Sequence, residues 1–71
     1  MSYCYVLLSS INYVLAAEKI IKELKIPYSI VPVPRELSSD CGVCIRIRES
    51  DKNVVESLLL ARFEDVRIEK K

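Results

Sequence analysis

Two apolar stripes at helical spacing, with a strand–loop–strand stretch between them, constrain this chain more than any other feature. In the first, Val14, Ala17, Ile20, Ile21 and Leu24 recur every three or four residues, and Leu15 and Ala16 widen the band. Glu18–Lys22 and Lys19–Glu23 set opposite charges four residues apart on the far side, which adds about 0.2–0.5 kcal/mol per pair. In the second, Val54, Val55, Leu58, Leu59 and Arg62 form the stripe. Ser9 or Ser10 can cap the first helix, and Ser50 or Asp51 the second. Pro27 is expected to stop the first helix, with Lys25 set against the negative end of its dipole.

Strand patterns fill the remainder. Tyr3-Cys4-Tyr5-Val6-Leu7-Leu8 reads as a strand buried on both faces, and Tyr28-Ser29-Ile30-Val31 as a second strand. Cys44-Ile45-Arg46-Ile47-Arg48 alternates strictly, which predicts Val43, Ile45 and Ile47 inward and Cys44, Arg46 and Arg48 outward. Val66 and Ile68 mark a short last strand, and Lys70 and Lys71 are expected to fray. The order βαββαβ predicts an α+β ferredoxin-like sandwich over residues 1–71 as a single domain. Right-handed crossovers would give strand order 4-1-3-2 with both helices on one face.

Composition narrows the function classes. At 71 residues the chain is close to the smallest size that one core can hold, and its 51% hydrophobic content argues against disorder. Such apolar content in so small a domain is compatible with a homodimer. Eleven basic and ten acidic residues leave a net charge of +1, so no global field favours nucleic acid or a membrane. The apolar runs are too short to span a bilayer. No secretory signal is recognisable at the start, and the three cysteines are an odd number, so reduced thiols in the cytoplasm are expected. Histidine is absent, which removes the usual general base, the usual partner of a cysteine nucleophile and the commonest metal ligand.

The candidate site lies in the connection between the two middle strands. Pro32 and Pro34 stiffen its entry, and Gly42, the only glycine, allows a bend directly after Cys41. Cys41-Gly42-Val43-Cys44 has C-x-x-C spacing. In thioredoxin-like proteins such a pair opens a helix, whereas here it runs into a strand. Strand pairing would bring Cys44 near Leu8 and Ser9, and Cys41 near the amide end of the first helix, where Ser9 and Ser10 lie. Arg35, the only cation in the loop, would favour a thiolate, while Glu36 and Asp40 would oppose it. Cys4 is expected at the far end of the sheet as a small core residue. Two nearby cysteines fall short of a closed zinc site, which would need a second chain to complete four ligands. Arg46 and Arg48 could meet an anion or RNA, but their strand carries no aromatic on which a base could stack. The bland alternative is a surface thiol and a strand cysteine without chemistry.

The segment Val31-Pro32-Val33-Pro34-Arg35-Glu36-Leu37-Ser38-Ser39-Asp40-Cys41-Gly42-Val43 resembles a small bacterial family described as putative selenium/sulfur carrier protein-like. Tyr5-Val6-Leu7-Leu8 with Ser9, and the helix containing Ala16, Glu18 and Lys19, extend the likeness over nearly the whole chain. The resemblance implies that Cys41 carries sulfur or selenium as a persulfide-type adduct. Without an evident general base in the chain, transfer to a partner protein is expected, and neither a cofactor nor a metal is. Cys44 departs from the apolar residue usual at that position of the family, which leaves a Cys41–Cys44 thiol–disulfide protein open. A non-catalytic interaction module is the other alternative.

Overall fold

The computed structural model describes residues 2–35, 37, 42–64 and 66–70. Strand β1 (Tyr3–Leu7) leads into helix α1 (Ile11–Glu23), followed by β2 (Tyr28–Pro32) and β3 (Val43–Arg48). A single 3₁₀ turn (Glu49–Asp51) then enters α2 (Lys52–Leu60), and β4 (Arg67–Lys70) closes the order. The strands form one antiparallel sheet in the order β2-β3-β1-β4, which is 4-1-3-2 when read from the β4 edge.

Alternation decides what the two faces hold. Cys4↔Ile47 and Val6↔Ile45 pair across the centre of the sheet, and these four side chains share one face. That face packs on Val14, Ala17 and Ile21 of α1 and on Val55 and Leu59 of α2, so both helices cover the same side. Every one of these residues is buried, and each large aliphatic among them contributes about 1.5–3 kcal/mol by leaving water. The helical stripes are narrower than their sequences suggest. Leu15 and Ala16 of α1, and Val54 and Leu58 of α2, face solvent, because two helices side by side on a small sheet bury only their lower thirds. Strand β1 is also less enclosed than expected. Tyr3 and Tyr5 are half-buried, since no helix lies on their side.

The ends of α1 are set by local chemistry. At its start the Ser10 hydroxyl accepts the Tyr13 N–H at 3.3 Å and the Ser10 carbonyl accepts the Val14 N–H at 3.1 Å. At its finish the helix stops well before Pro27. Lys25 turns into the left-handed region at φ 59°, its N–H donates to Lys22 O at 3.0 Å, and the Ile26 N–H donates to Ile21 O at 3.3 Å. These two bonds make a Schellman cap, with Ile26 tucked against the core behind it. Lysine here does not simply complement the helix dipole; it occupies the position glycine usually fills. For α2, the Asp51 carboxylate makes no capping bond and instead accepts from Arg48 Nε at 3.0 Å. Lys70 is not frayed either: it pairs in β4 and its ammonium meets Glu49 at 3.2 Å.

Strand β2 is an edge that the helices cover only in part: Tyr28 packs against the core, whereas Ile30, on the same side, is 41% exposed. Its tie to α1 is polar. The Tyr28 hydroxyl donates to Glu18 Oε2 at 2.8 Å, and that bond to a carboxylate raises the Tyr28 pKa above 10.0. Burial raises the Cys4 thiol above 9.0, with Lys52 and Lys70 pulling it back and Glu49 and Glu56 pushing it up. Both groups are held in their protonated forms. The stability they confer is therefore complete below the unfolded pKa values and is lost as pH rises through the higher folded ones.

Two outcomes follow for measurement. Lys25→Gly should stabilise the fold by about 0.5–1 kcal/mol in urea denaturation, because the left-handed cost of a side chain exceeds the chain entropy glycine adds. Melting temperature should fall on titration from pH 8 to 11, and Tyr28→Phe should make that fall shallower by removing one of the two titrating groups.

Candidate functional site

The face opposite the helices carries the residues with chemistry. Its rows can be read from the register. One row runs Val31, Cys44, Leu7 and Arg67; the next runs Ser29, Arg46, Tyr5 and Glu69; the last described pair is Arg48 and Tyr3. Cys44 therefore points outward as the alternation predicts, and the β1–β3 register carried one pair past Val6↔Ile45 sets it opposite Leu7, the neighbour of Leu8 in the chain. Its environment is not what the alternation predicts. Cys44 is 0% exposed and Leu7 2%, although neither belongs to the core beneath the helices. One row away, Arg46 and Tyr5 are only half-buried. This face is closed at the Cys44 end and open at the Arg48 end.

The closed end is where β2 and β3 are joined. The Val33 N–H donates to the Gly42 carbonyl at 3.2 Å, extending the β2–β3 pairing by one bond beyond Pro32↔Val43. Gly42 has φ +77°, and a Cβ built there would meet nothing within 4 Å, so the demand for glycine is one of backbone conformation and not of space. On the entry side, the Leu37 N–H donates to the Pro34 carbonyl at 3.0 Å, turning the chain around the exposed Arg35. Val33, Pro34 and Leu37 are half-buried. Cys41, and with it Glu36, Ser38, Ser39 and Asp40, lies outside the described residues.

The other expected site residues are placed plainly. Ser10 is the cap of α1, and Ser9 is exposed just before it. The chain passes from Leu7 to α1 at the same end of the sheet at which β3 begins, so the amide end of α1, Gly42 and Cys44 share that end. The first turn of α1 has no acidic residue, so the helix itself supplies no counter-charge to its partial positive end. Cys4 sits on the helical face opposite Ile47, about 10 Å along the strand from the Cys44 rung and on the other side of the sheet. It is a core residue. Among the described residues no three metal-ligating side chains cluster.

The enclosure of Cys44 was missed by reasoning from its strand alone, because alternation assigns a face but not what covers it. The signal available was the neighbour: Leu7, in the same row, is a large apolar residue on a face whose further rows carry Tyr5, Arg46, Tyr3 and Arg48.

What the fold and site define is a small α+β protein whose cysteine-bearing connection is pinned at one end of a four-stranded sheet. Residues 3–70 match the family described as putative Se/S carrier protein-like, and the chain belongs to that family. No curated protein and no solved structure matches it significantly. No helix among the described residues is long and apolar enough to cross a membrane.

The two described cysteines should be protected. In the reduced native protein, Cys4 and Cys44 should alkylate at least about 100-fold more slowly than after unfolding in guanidinium, since both require opening of the sheet. Peptide mapping after timed alkylation checks this, and rapid native labelling of Cys44 would contradict its enclosure.

Proposed function

We propose that this protein holds sulfur or selenium on Cys41 and passes it to a partner protein. The observation that carries the reading is the family match over residues 3–70, which supports a carrier role in general terms. The architecture, read as a ferredoxin-like βαββαβ sandwich, serves as the rigid mount. Gly42, the residue after Cys41 in the chain, has a fixed left-handed conformation and a carbonyl anchored by Val33. A carrier thiol must be presented reproducibly to donor and acceptor, and an anchored neighbour favours that. The amide end of α1, without an acidic residue in its first turn, favours a thiolate at this end of the sheet, and Arg35 adds positive charge.

The transfer step is an exchange without net oxidation. The Cys41 thiolate attacks the outer sulfur of a donor persulfide, a new S–S bond forms to Cys41, and the donor's S–S bond breaks. The donor leaves as a thiolate, and the proton of the outer sulfur stays with it. Selenium at the outer position would follow the same course. The chain has no histidine to serve as base or acid, which fits stoichiometric carriage better than independent turnover. The burial of Cys44 keeps it from meeting a donor arriving from solvent, which favours Cys41 as the thiol that takes up the sulfur.

Incubation with a persulfide donor should add the mass of one sulfur atom, and mapping should place it on Cys41. Cys41→Ser should abolish the gain, whereas Cys44→Ala and Cys4→Ala should retain it. Sulfur found on Cys4 or Cys44, or an undiminished gain in Cys41→Ser, would refute the assignment.

A further inference from the structure

At the open end of the outer face, a notch of about 230 Å³ is bounded by Tyr3, Pro27, Tyr28, Ser29, Arg46 and Arg48. It is on the same face as Cys44 but at the other end of β3, and the carrier reading gives it no task. Its chemistry is cationic. The Arg46 guanidinium carbon lies over the Tyr3 ring, 4.5 Å from the ring centroid. That cation–π contact positions a guanidinium whose N–H donors form a planar fork around its edge. Ser29 is the direct cross-strand partner of Arg46, so its hydroxyl is within a side chain's reach of that edge.

The carboxylates near this end are committed elsewhere. Asp51 accepts from Arg48 at 3.0 Å, and Glu49 meets Lys70 at 3.2 Å. Glu18 accepts from Tyr28 on the helical face. Glu69 shares the Arg46 row but stands beyond Tyr5, two strand spacings or about 9.6 Å away. Arg46 is thus half-buried and held in place by Tyr3, with no carboxylate partner among the described residues. Arg48, two residues on, points the same way about 6.6 Å along the strand and uses only its Nε on Asp51. A planar donor fork, a hydroxyl and a second guanidinium around one small notch match a tetrahedral oxyanion. A single-charged carboxylate would leave donors unused.

We propose that this notch binds a phosphate group, with Arg46 as its principal donor and Ser29 and Arg48 in support. The group is carried either by free phosphate or by a phosphomonoester; Pro27, which borders the notch, gives the ester's organic part an apolar surface to rest on.

The test is a titration of the full chain, followed by backbone amide and arginine Nε–H resonances at constant ionic strength. Inorganic phosphate should give saturable shifts centred on Ser29, Arg46 and Arg48, with a Kd of about 1–10 mM. Phenyl phosphate binding more tightly than phosphate assigns the site to an ester; equal binding assigns it to the free ion. Arg46→Gln should abolish the saturable shifts. Arg46→Lys keeps the charge and the ring contact but loses the fork, so it should weaken binding about tenfold and carries the test if Arg46→Gln fails to fold. Arg62→Gln, on the helical side, should change nothing. Linear shifts that track ionic strength, binding undiminished in Arg46→Lys, or benzoate binding as well as phosphate would each overturn the proposal.

Discussion

The pairing of β1 with β3 is the constraint on which the rest of this protein depends. It brings Cys4 and Val6 beside Ile47 and Ile45, and those four side chains form the floor on which both helices rest. The same register sets the other face, because the residues between them must point away. A slip of one residue would exchange the faces, putting Arg46 beneath the helices and Ile45 in water. The hydrophobic cost of that exchange is what fixes the position of Cys44, Arg46 and Arg48 to a single arrangement.

The outer edges of the sheet are held by different means. On the β4 side, Lys70 and Glu49 make an exposed pair whose strength is small. On the β2 side, one phenol–carboxylate bond joins the edge to α1, and Pro32 and Pro34 limit what further strand could pair there. The fold therefore has a well-packed centre, to which the edge strands add Tyr28 and Ile68 as partly buried contacts. The cysteine-bearing connection leaves from the β2 edge.

Much of this was legible in the sequence, and the reasons are specific. The alternation of Val43 to Arg48 gave its faces correctly because one side is core, and Val14, Ala17 and Ile21 were found because helical periodicity reports burial directly. Three features were not legible. Lys25 adopts a conformation that its own side chain disfavours, and only the packing of Ile26 explains why the chain accepts it. Asp51 was read as a cap from its position, but Arg48 competes successfully for its carboxylate. Cys44 looked solvent-facing because periodicity carries no information on cover from outside the sheet. For the candidate site, Gly42 showed the backbone conformation expected of it, and Ser10 proved to be a helix cap. Cys41 lies outside the described residues.

The separation of Cys4 from Cys44 has a consequence for how this protein ages. The two sulfurs are divided by the thickness of the sheet as well as by about 10 Å along it. A disulfide needs Cα atoms within about 6.8 Å, so no breathing of the native fold can join them. The sheet acts as an insulator between an inner thiol and the outer face. A Cys4–Cys44 link in an isolated sample would be a chemical record that the molecule had come apart and been oxidised before it could refold.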